Sequence, residues 1–370
     1  MVVVKSTPAG SSASQTQPKV EESSGPIVKP TSMKAKWAAL DLVNEQINKQ
    51  FKTESAIVRL GSRVGKDMPS ISTGCPSWDY EVFGCGGAPR GRIIELIGPE
   101  SCGKTTILEH IIAQEQKKGN LAALVDAEHA FDPNYAAKLG VNVDDLVISQ
   151  PDSGEQALET VEALVKSGAV SIIGVDSVAA LVPQAELDGE MGDSHMGLQA
   201  RLMSQACRKL RGIVRQYDVT LIFINQIREK IGVMFGSPET GTGGRALRFY
   251  ASTRLDIRRI ADIKEDDIVI GHTMKIKGVK NKVGPPKREC EIDLIYGIGL
   301  DQESDLLTYG VKLGVVEKSG AWYNCSGERV GQGLRKAAAN LRNNPEWTEK
   351  IRKIVNDARI ARNIKEAQKD

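Results

Sequence analysis

Lys104 and Thr105, near the end of Gly98-Pro-Glu-Ser-Cys-Gly-Lys-Thr-Thr106, are the residues of this chain best suited by type and spacing to do chemistry. Two glycines followed by Lys-Thr is the pattern of a loop that wraps a polyphosphate. Gly98 and Gly103 permit backbone torsions that turn successive N–H groups inward. With the N-terminus of a following helix, those groups form a nest for phosphate oxygens. Lys104 then reaches the β- and γ-phosphates as a point charge, and Thr105 supplies a hydroxyl to Mg²⁺. Pro99, Glu100, Ser101, Cys102 and Thr106 belong to the same expected nucleotide site. A Gly-Lys-Thr turn could open a helix by chance, but both flanks fit the loop. An apolar run, Arg92–Ile97, reads as a buried strand before it. After it, Thr105–Lys118 puts Ile107, Leu108, Ile111 and Ile112 on one helical face.

Carboxylates complete the expected chemistry. Ser171-Ile-Ile-Gly-Val-Asp176 is an apolar strand ending in an acid, the form of a second nucleotide element whose Asp holds the Mg²⁺ hydration shell. Glu128 follows another strand, Leu121–Asp126, and is placed to polarise water for in-line attack on a γ-phosphate. The simpler reading of Glu128 is an exposed residue capping the next turn. His129 adjoins it, yet four histidines spread along the chain form no ligand cluster, so no metal centre is expected there. Six cysteines without framework spacing point to free thiols and a reducing, cytoplasmic setting. Cys102 could be reactive beside Lys104 and a helix N-terminus, or it could merely fill a variable loop position.

These groups need a scaffold, and the pattern supplies one. Strands are expected at Arg92–Ile97, Leu121–Asp126, Leu146–Gln150, Ser171–Asp176, Thr220–Asn225 and Thr253–Ile257, with helices at Ser153–Ser167 and Gly197–Tyr217 between them. That βαβα order implies an α/β fold with a mostly parallel central sheet covered by helices. Ligands in such sheets sit at the carboxyl ends of the strands. Residues 1–32 are Ser/Thr/Pro/Gln-rich and are expected to be a disordered arm. An N-terminal helix and linker occupy 33–65, with Trp37, Leu40, Leu42, Val43, Ile47 and Phe51 at helical spacing. The ATPase-like core is expected over 66–300, and a small C-terminal α+β lobe with a basic helical tail over 301–370. With 370 residues, 41% hydrophobic and 26% charged, the chain can bury a sizeable core. A net charge of +2 leaves any affinity for nucleic acid to local placement. No run approaches the roughly 18 apolar residues of a membrane span, and no secretory leader is expected after Val2-Val3-Val4-Lys5.

Several longer segments carry a resemblance. Gly98–Thr106, Asp126-Ala-Glu-His-Ala, Val175-Asp-Ser-Val-Ala-Ala-Leu181, Met191-Gly-Asp-Ser-His-Met-Gly197, Ile222-Phe-Ile-Asn-Gln-Ile227, Thr242-Gly-Gly-Arg-Ala-Leu and Arg254-Leu-Asp-Ile-Arg-Arg resemble the bacterial RecA recombinases, as does the chain from about Lys36 to Glu328. The resemblance implies an ATP- and Mg²⁺-using, DNA-dependent ATPase that forms helical filaments on single-stranded DNA and exchanges homologous strands with duplex DNA. It also implies help to a repressor that cleaves itself. Glu128 would position water, Asp132 and Tyr135 would hold the adenine, and Gln226 would sense the γ-phosphate. Lys280 and Lys282 would reach a neighbouring subunit's phosphates, completing the site only in the polymer. Glu186–Gly197 and Arg228–Gly244 would be DNA loops, with Met196, Ile231 and Phe235 contacting bases. Arg201, Arg208, Arg228, Arg245 and Arg248 would supply charge, and Gly243 and Gly244 close approach. The N-terminal helix and Phe249 would meet across subunits.

The chain also departs from the family. Lys52-Thr-Glu-Ser replaces the family's Gly-Lys-Gly, and the arm before Ser32 is extra. The C-terminal segment carries ten Lys/Arg against five Asp/Glu between Arg335 and Asp370 where relatives end acidic. That run is either a solvated helix face or a gateway for duplex DNA. Two other functional classes share such a core: a ring-forming helicase motor, and a filament scaffold for which nucleotide is only an assembly switch.

Overall fold

The computed structural model describes residues 30–51, 57, 68–190, 197–229 and 239–367. It divides into two units, residues 1–66 and 67–370. In the first, α1 (Met33–Phe51) starts at Ser32, whose hydroxyl accepts from the Ala35 N–H at 3.1 Å as a helix cap should. The helix buries none of its residues, and Trp37, Leu40, Leu42, Val43 and Phe51 are all exposed. The expected arm through residue 29 lies outside the described residues, as does most of the linker.

The second unit is built on one large sheet. Its strands are β3 (Ile93–Gly98), β4 (Leu121–Asp126), β5 (Leu146–Ser149), β6 (Val170–Asp176), β7 (Thr220–Glu229), β9 (Thr253–Glu265), β10 (Ile268–Asn281), β11 (Glu289–Ile295) and β12 (Gly299–Leu300). Two short strands, β1 (Ser70–Ile71) and β2 (Ala88–Pro89), pair apart from it, and β8 (Glu239–Gly241) pairs antiparallel with β7. The order β9-β3-β7-β6-β4-β5 is parallel throughout, and β10, β11 and β12 extend the sheet antiparallel beyond β9. The parallel strands read as near-continuous apolar runs because both faces are covered. On one face α2 (Lys104–Gln116) packs with the core around Trp78, Leu96 and Ile257. On the other, α4 (Gly154–Ser167), α6 (Leu198–Gln216) and α7 (Ala246–Tyr250) pack over Ile93, Val175 and Phe223. Short helices α3 (Pro133–Lys138) and α5 (Gln184–Leu187) follow β4 and β6.

The structure corrects the sequence reading at two elements. Helix α2 is not a one-sided amphipathic helix, since Lys104, Glu109, His110 and Glu115 are buried along with its leucine and isoleucines. The chain on both sides of it accounts for that: β11 and β12 fold over the side that would face solvent, and the Leu300 N–H donates to His110 Nε2 at 2.9 Å. The sequence pattern marks Thr253–Ile257 as a strand of the parallel run and marks no strand after it. Strands β9 and β10 in fact form a long hairpin turning at Asp266 and Asp267, both at positive φ. The solvated half of β9 carries no apolar run, which hid the hairpin.

Beyond β12, α8 (Gln302–Leu313), β13 (Val316–Ser319), β14 (Trp322–Cys325), β15 (Glu328–Gln332), α9 (Leu334–Arg342) and α10 (Pro345–Ala367) enclose a third core around Leu306, Tyr323, Leu341 and Ile351. This core meets the sheet side through Asp305, which accepts from the Ser77 backbone N–H at 3.0 Å and from its hydroxyl. Arg352 donates to the Gly74 carbonyl at 3.3 Å, and Arg359 lies 4.0 Å over the Tyr80 ring. Among the described residues no helix is long and apolar enough to cross a membrane.

Candidate active site

The loop between β3 and α2 sits at the carboxyl edge of the parallel strands. Ser101 and Gly103 take positive φ there, at 57° and 94°, curling the backbone so that α2 begins with free N–H groups. A Cβ on Gly103 would lie 2.7 Å from Leu294 Cδ1. Gly98 differs from expectation, because its backbone is not left-handed. It is glycine because a Cβ would lie 2.3 Å from the Ile257 carbonyl oxygen on the adjacent strand β9.

Lys104 is buried, and its ammonium donates to the Pro99 and Gly98 carbonyls. Thr105 Oγ1 donates to Asp176 Oδ2 at 2.5 Å, which joins the start of α2 to the end of β6. Burial pushes the Asp176 carboxyl up to about 6, against the Thr105 hydrogen bond that lowers it, and the Glu128 and Asp126 charges raise it further. Asp126 holds the chain beyond β4 by accepting from the Ala130 and Phe131 N–H groups at 3.3 and 3.1 Å and from Gln150. The Asp176 carbonyl accepts from Ala127 and Glu128 N–H, which fixes Glu128 at the sheet edge. Glu128 Oε1 accepts from Gln226 Nε2 at 3.0 Å and from the Ser177 hydroxyl. Glu128 is therefore engaged with Gln226 of β7 rather than capping its own turn.

Lys104, Thr105, Thr106, Glu128, Asp176 and Gln226 share one cavity of ≈ 290 Å³ with Glu100, Ser101, Gly103 and Tyr135. Tyr135 OH lies 3.4 Å from Thr106 Oγ1. Ile224, His272, Leu294 and Tyr296 complete the wall, and the sequence reading missed them. Three of the four come from β10 and the region of β11, far along the chain, so only sheet order brings them here. No motif signals them. Asp132 behaves differently from Tyr135: its carboxylate caps α3, accepting from Asn134 and Tyr135 N–H at 2.9 and 3.3 Å, and it does not line the cavity. Gly98, Pro99 and Cys102 form the loop's back and do not line it either. Cys102 is buried and desolvation raises its thiol, which removes the reactive reading. Glu109, one turn beyond Thr105, is buried with Oε2 unpartnered, and desolvation holds its carboxyl at about 8.

Among the described residues no group of three or more His, Cys, Asp or Glu could hold a metal alone. Thr105 and Asp176 do fit Mg²⁺ of the kind that completes its shell with water and phosphate oxygens.

The other expected site residues lie away from this cavity. Lys280, on β10, donates to the Arg248 and Phe249 carbonyls at 2.7 and 2.9 Å, and burial lowers its pKa. Lys282 is exposed, with its backbone N–H on the Ser252 carbonyl. Arg201 and Arg208 are exposed on α6. Gly243 and Gly244 both have positive φ, and the Gly243 N–H donates to Gln199 Oε1 at 3.2 Å. Arg228 lies on β7, opposite Thr240. Met196, Ile231 and Phe235 lie outside the described residues.

Comparison with known proteins gives this geometry its context. The family model described as RecA N-terminal domain matches residues 38–301, and that described as RecA C-terminal domain matches 304–359. The chain is 58% identical over 320 residues to the Protein RecA of Citrifermentans bemidjiense, covering 86% of this chain and 94% of that one. It is 54% identical over 328 residues to the Protein RecA of Zymomonas mobilis, covering 88% and 92%. With a phosphate loop, a strand-end acid and Glu128 gathered at one sheet edge, and with both family domains matched along its length, this chain belongs to the RecA family of DNA-dependent ATPases that carry out recombination.

Proposed function

We propose that the cavity binds ATP with Mg²⁺, that Glu128 positions the attacking water, and that Gln226 reports the γ-phosphate to the segment following β7. The observation that carries this reading is the bond from Gln226 to Glu128, which ties the strand-end sensor to the hydrolytic carboxylate across the phosphate site. Lys104 supplies charge to the β- and γ-phosphates, and Thr105 and Asp176 hold the cation. When bound, that cation neutralises charge developing on the phosphate oxygens. The adenine lies against Tyr135, with Asp132 fixing the helix that presents it.

Lys280 and Lys282, outside the cavity of their own chain, act on the nucleotide of the next subunit, so that ATP favours assembly into a helical filament. Segments 186–197 and 228–244 carry single-stranded DNA at the filament axis. Met196, Ile231 and Phe235 contact bases, while Arg201, Arg208 and Arg228, with Gly243 and Gly244, serve the backbone. Residues 33–65 join neighbouring subunits, 66–300 form the motor, and the lobe from 301 with its basic α10 admits duplex DNA. In the cytoplasm such a filament also promotes self-cleavage of a bound repressor.

The test is ATP turnover with and without single-stranded DNA. Replacing Glu128 with Gln should leave nucleotide binding intact while turnover falls by about 10²-fold or more. Turnover that ignores DNA, or survives this change, refutes the reading. Electron microscopy with a slowly hydrolysed ATP analogue distinguishes an open helical filament from a closed ring.

A further inference from the structure

One polar group in the wall of the phosphate cavity has nothing to bond. His272, on β10, is 2% exposed, and among the described residues neither Nδ1 nor Nε2 has a hydrogen-bond partner. Buried polar side chains are almost always paired, so an orphaned ring calls for a partner from elsewhere. The Cys102 backbone is near enough to favour the protonated ring, but that contact falls short of hydrogen-bond geometry.

Register aims the ring at the site. His272 faces Leu294 in the β10–β11 ladder, and directly opposed residues share a face of the sheet. A Cβ on Gly103 would meet Leu294 Cδ1 at 2.7 Å and Met274 Sδ at 3.0 Å. Met274 lies two residues beyond His272, again on that face. The face that carries His272 therefore lies over the phosphate loop just before Lys104. The Tyr296 ring stands 6.0 Å from the imidazole, and both line the same cavity as Lys104 and Tyr135.

The chemistry of the ring narrows what it can meet. Desolvation lowers the imidazole below its ordinary 6.5, the Arg259 charge lowers it further, and Cys102 and Asp262 oppose this only in part. Near neutral pH the ring is uncharged, with one N–H donor and one lone-pair acceptor. A phosphate oxygen can only accept, and Lys104 and the loop amides already serve it. A hydroxyl both donates and accepts, so it suits either tautomer. With the phosphates on the loop and the base against Tyr135, the sugar must join them, and its hydroxyls have no other assigned partner.

We propose that His272 recognises the substrate's sugar by hydrogen bonding to a ribose hydroxyl, so that this site distinguishes ribonucleotides from deoxyribonucleotides. The inference rests on the reading of the cavity as an ATP site and deepens it by naming what reads the sugar.

Calorimetric titration of the full chain with ADP, 2′-deoxyADP and 3′-deoxyADP in the presence of Mg²⁺ isolates each hydroxyl without turnover. ADP should bind about 5-fold or more tightly than one of the two deoxy analogues, because the analogue leaves the buried ring unpaired. His272→Leu removes both nitrogens, and the ratio should then fall to about twofold or less through weaker ADP binding, with the weaker analogue nearly unaffected. If that variant does not fold, ¹⁵N NMR of the His272 ring in the unmodified protein decides. It should show a hydrogen-bonded nitrogen with ADP and none with the weaker analogue. Identical ring shifts, a variant that keeps the full ratio, a variant that weakens all three nucleotides equally, or an unmodified protein that binds all three alike overturns the inference. ADP affinity left unchanged by Lys104→Ala overturns the underlying reading of the cavity instead.

Discussion

At the scale of single residues, the site is a set of carboxyls kept apart by environment. Glu128 is exposed and bonded to two donors, Asp176 is buried against Thr105, and Glu109 is buried with one oxygen unpartnered. Glu109 makes a direct prediction. Its carboxyl is held at about 8 by desolvation first, then by Asp176 and Asp132, against 4.5 in the unfolded chain. Because the folded value is raised, the folded state retains this proton while the unfolded state has lost it. Stability from Glu109 is therefore fully present below about pH 4.5 and declines until pH passes about 8. Glu109→Gln should flatten that decline, leaving the variant more stable at pH 8 by an amount on the order of a few kcal/mol. Thermal melts of both proteins at pH 5.5 and 8 measure it, and parallel curves would show that Glu109 does not carry this proton. The cavity residues legible in the sequence were those tied to a motif: Lys104, Thr105, Asp176 and Glu128. His272 and Tyr296 were not, since a lone histidine and a lone tyrosine in a polar stretch signal nothing until a fold places them beside Lys104 and Thr105.

At the scale of elements, the contrast between the two loop glycines is instructive. Gly103 needs its positive φ, whereas Gly98 is required by the closeness of β9. Gly98→Ala should therefore behave as an overpacked core change, costing about 1–3 kcal/mol and displacing the loop. Urea unfolding and nucleotide titration together check this, and a variant with unchanged stability and affinity would mean that the strands separate easily. The parallel strands and the helices α4 and α6 followed from periodicity, and Ser153 caps α4 where that helix was expected to include it. The antiparallel half did not, because a hairpin with one solvated side mixes polar residues into every second position. The one-sided reading of α2 failed for a related reason. What covers a helix's outer face is set by strands that come later in the chain.

At the scale of the whole molecule, the joint between sheet and C-terminal lobe includes a buried carboxylate among several polar contacts. Asp305 accepts both donors of Ser77, and burial raises its carboxyl to about 6. Asp305→Ala leaves those donors unpaired and should cost about 1–3 kcal/mol. Hydrogen exchange should show faster opening at Ser77 and in α8 with little change in β3 or β6. Unchanged protection at Ser77 and in α8 would mean that the other contacts hold the lobe without Asp305. The net charge of +2 likewise becomes informative only in place, since Arg201 and Arg208 stand exposed on one helix that leads toward Gly243.

The amino-acid sequence by itself determined the phosphate loop, the strand-end acids and the alternation that makes a parallel sheet, because each is a local pattern of residue types at short spacing. Tertiary structure alone decided the far wall of the cavity and the burial of Glu109. Those arise where strands distant in the chain lie side by side, and register between such strands is fixed by packing of the whole sheet rather than by any one segment.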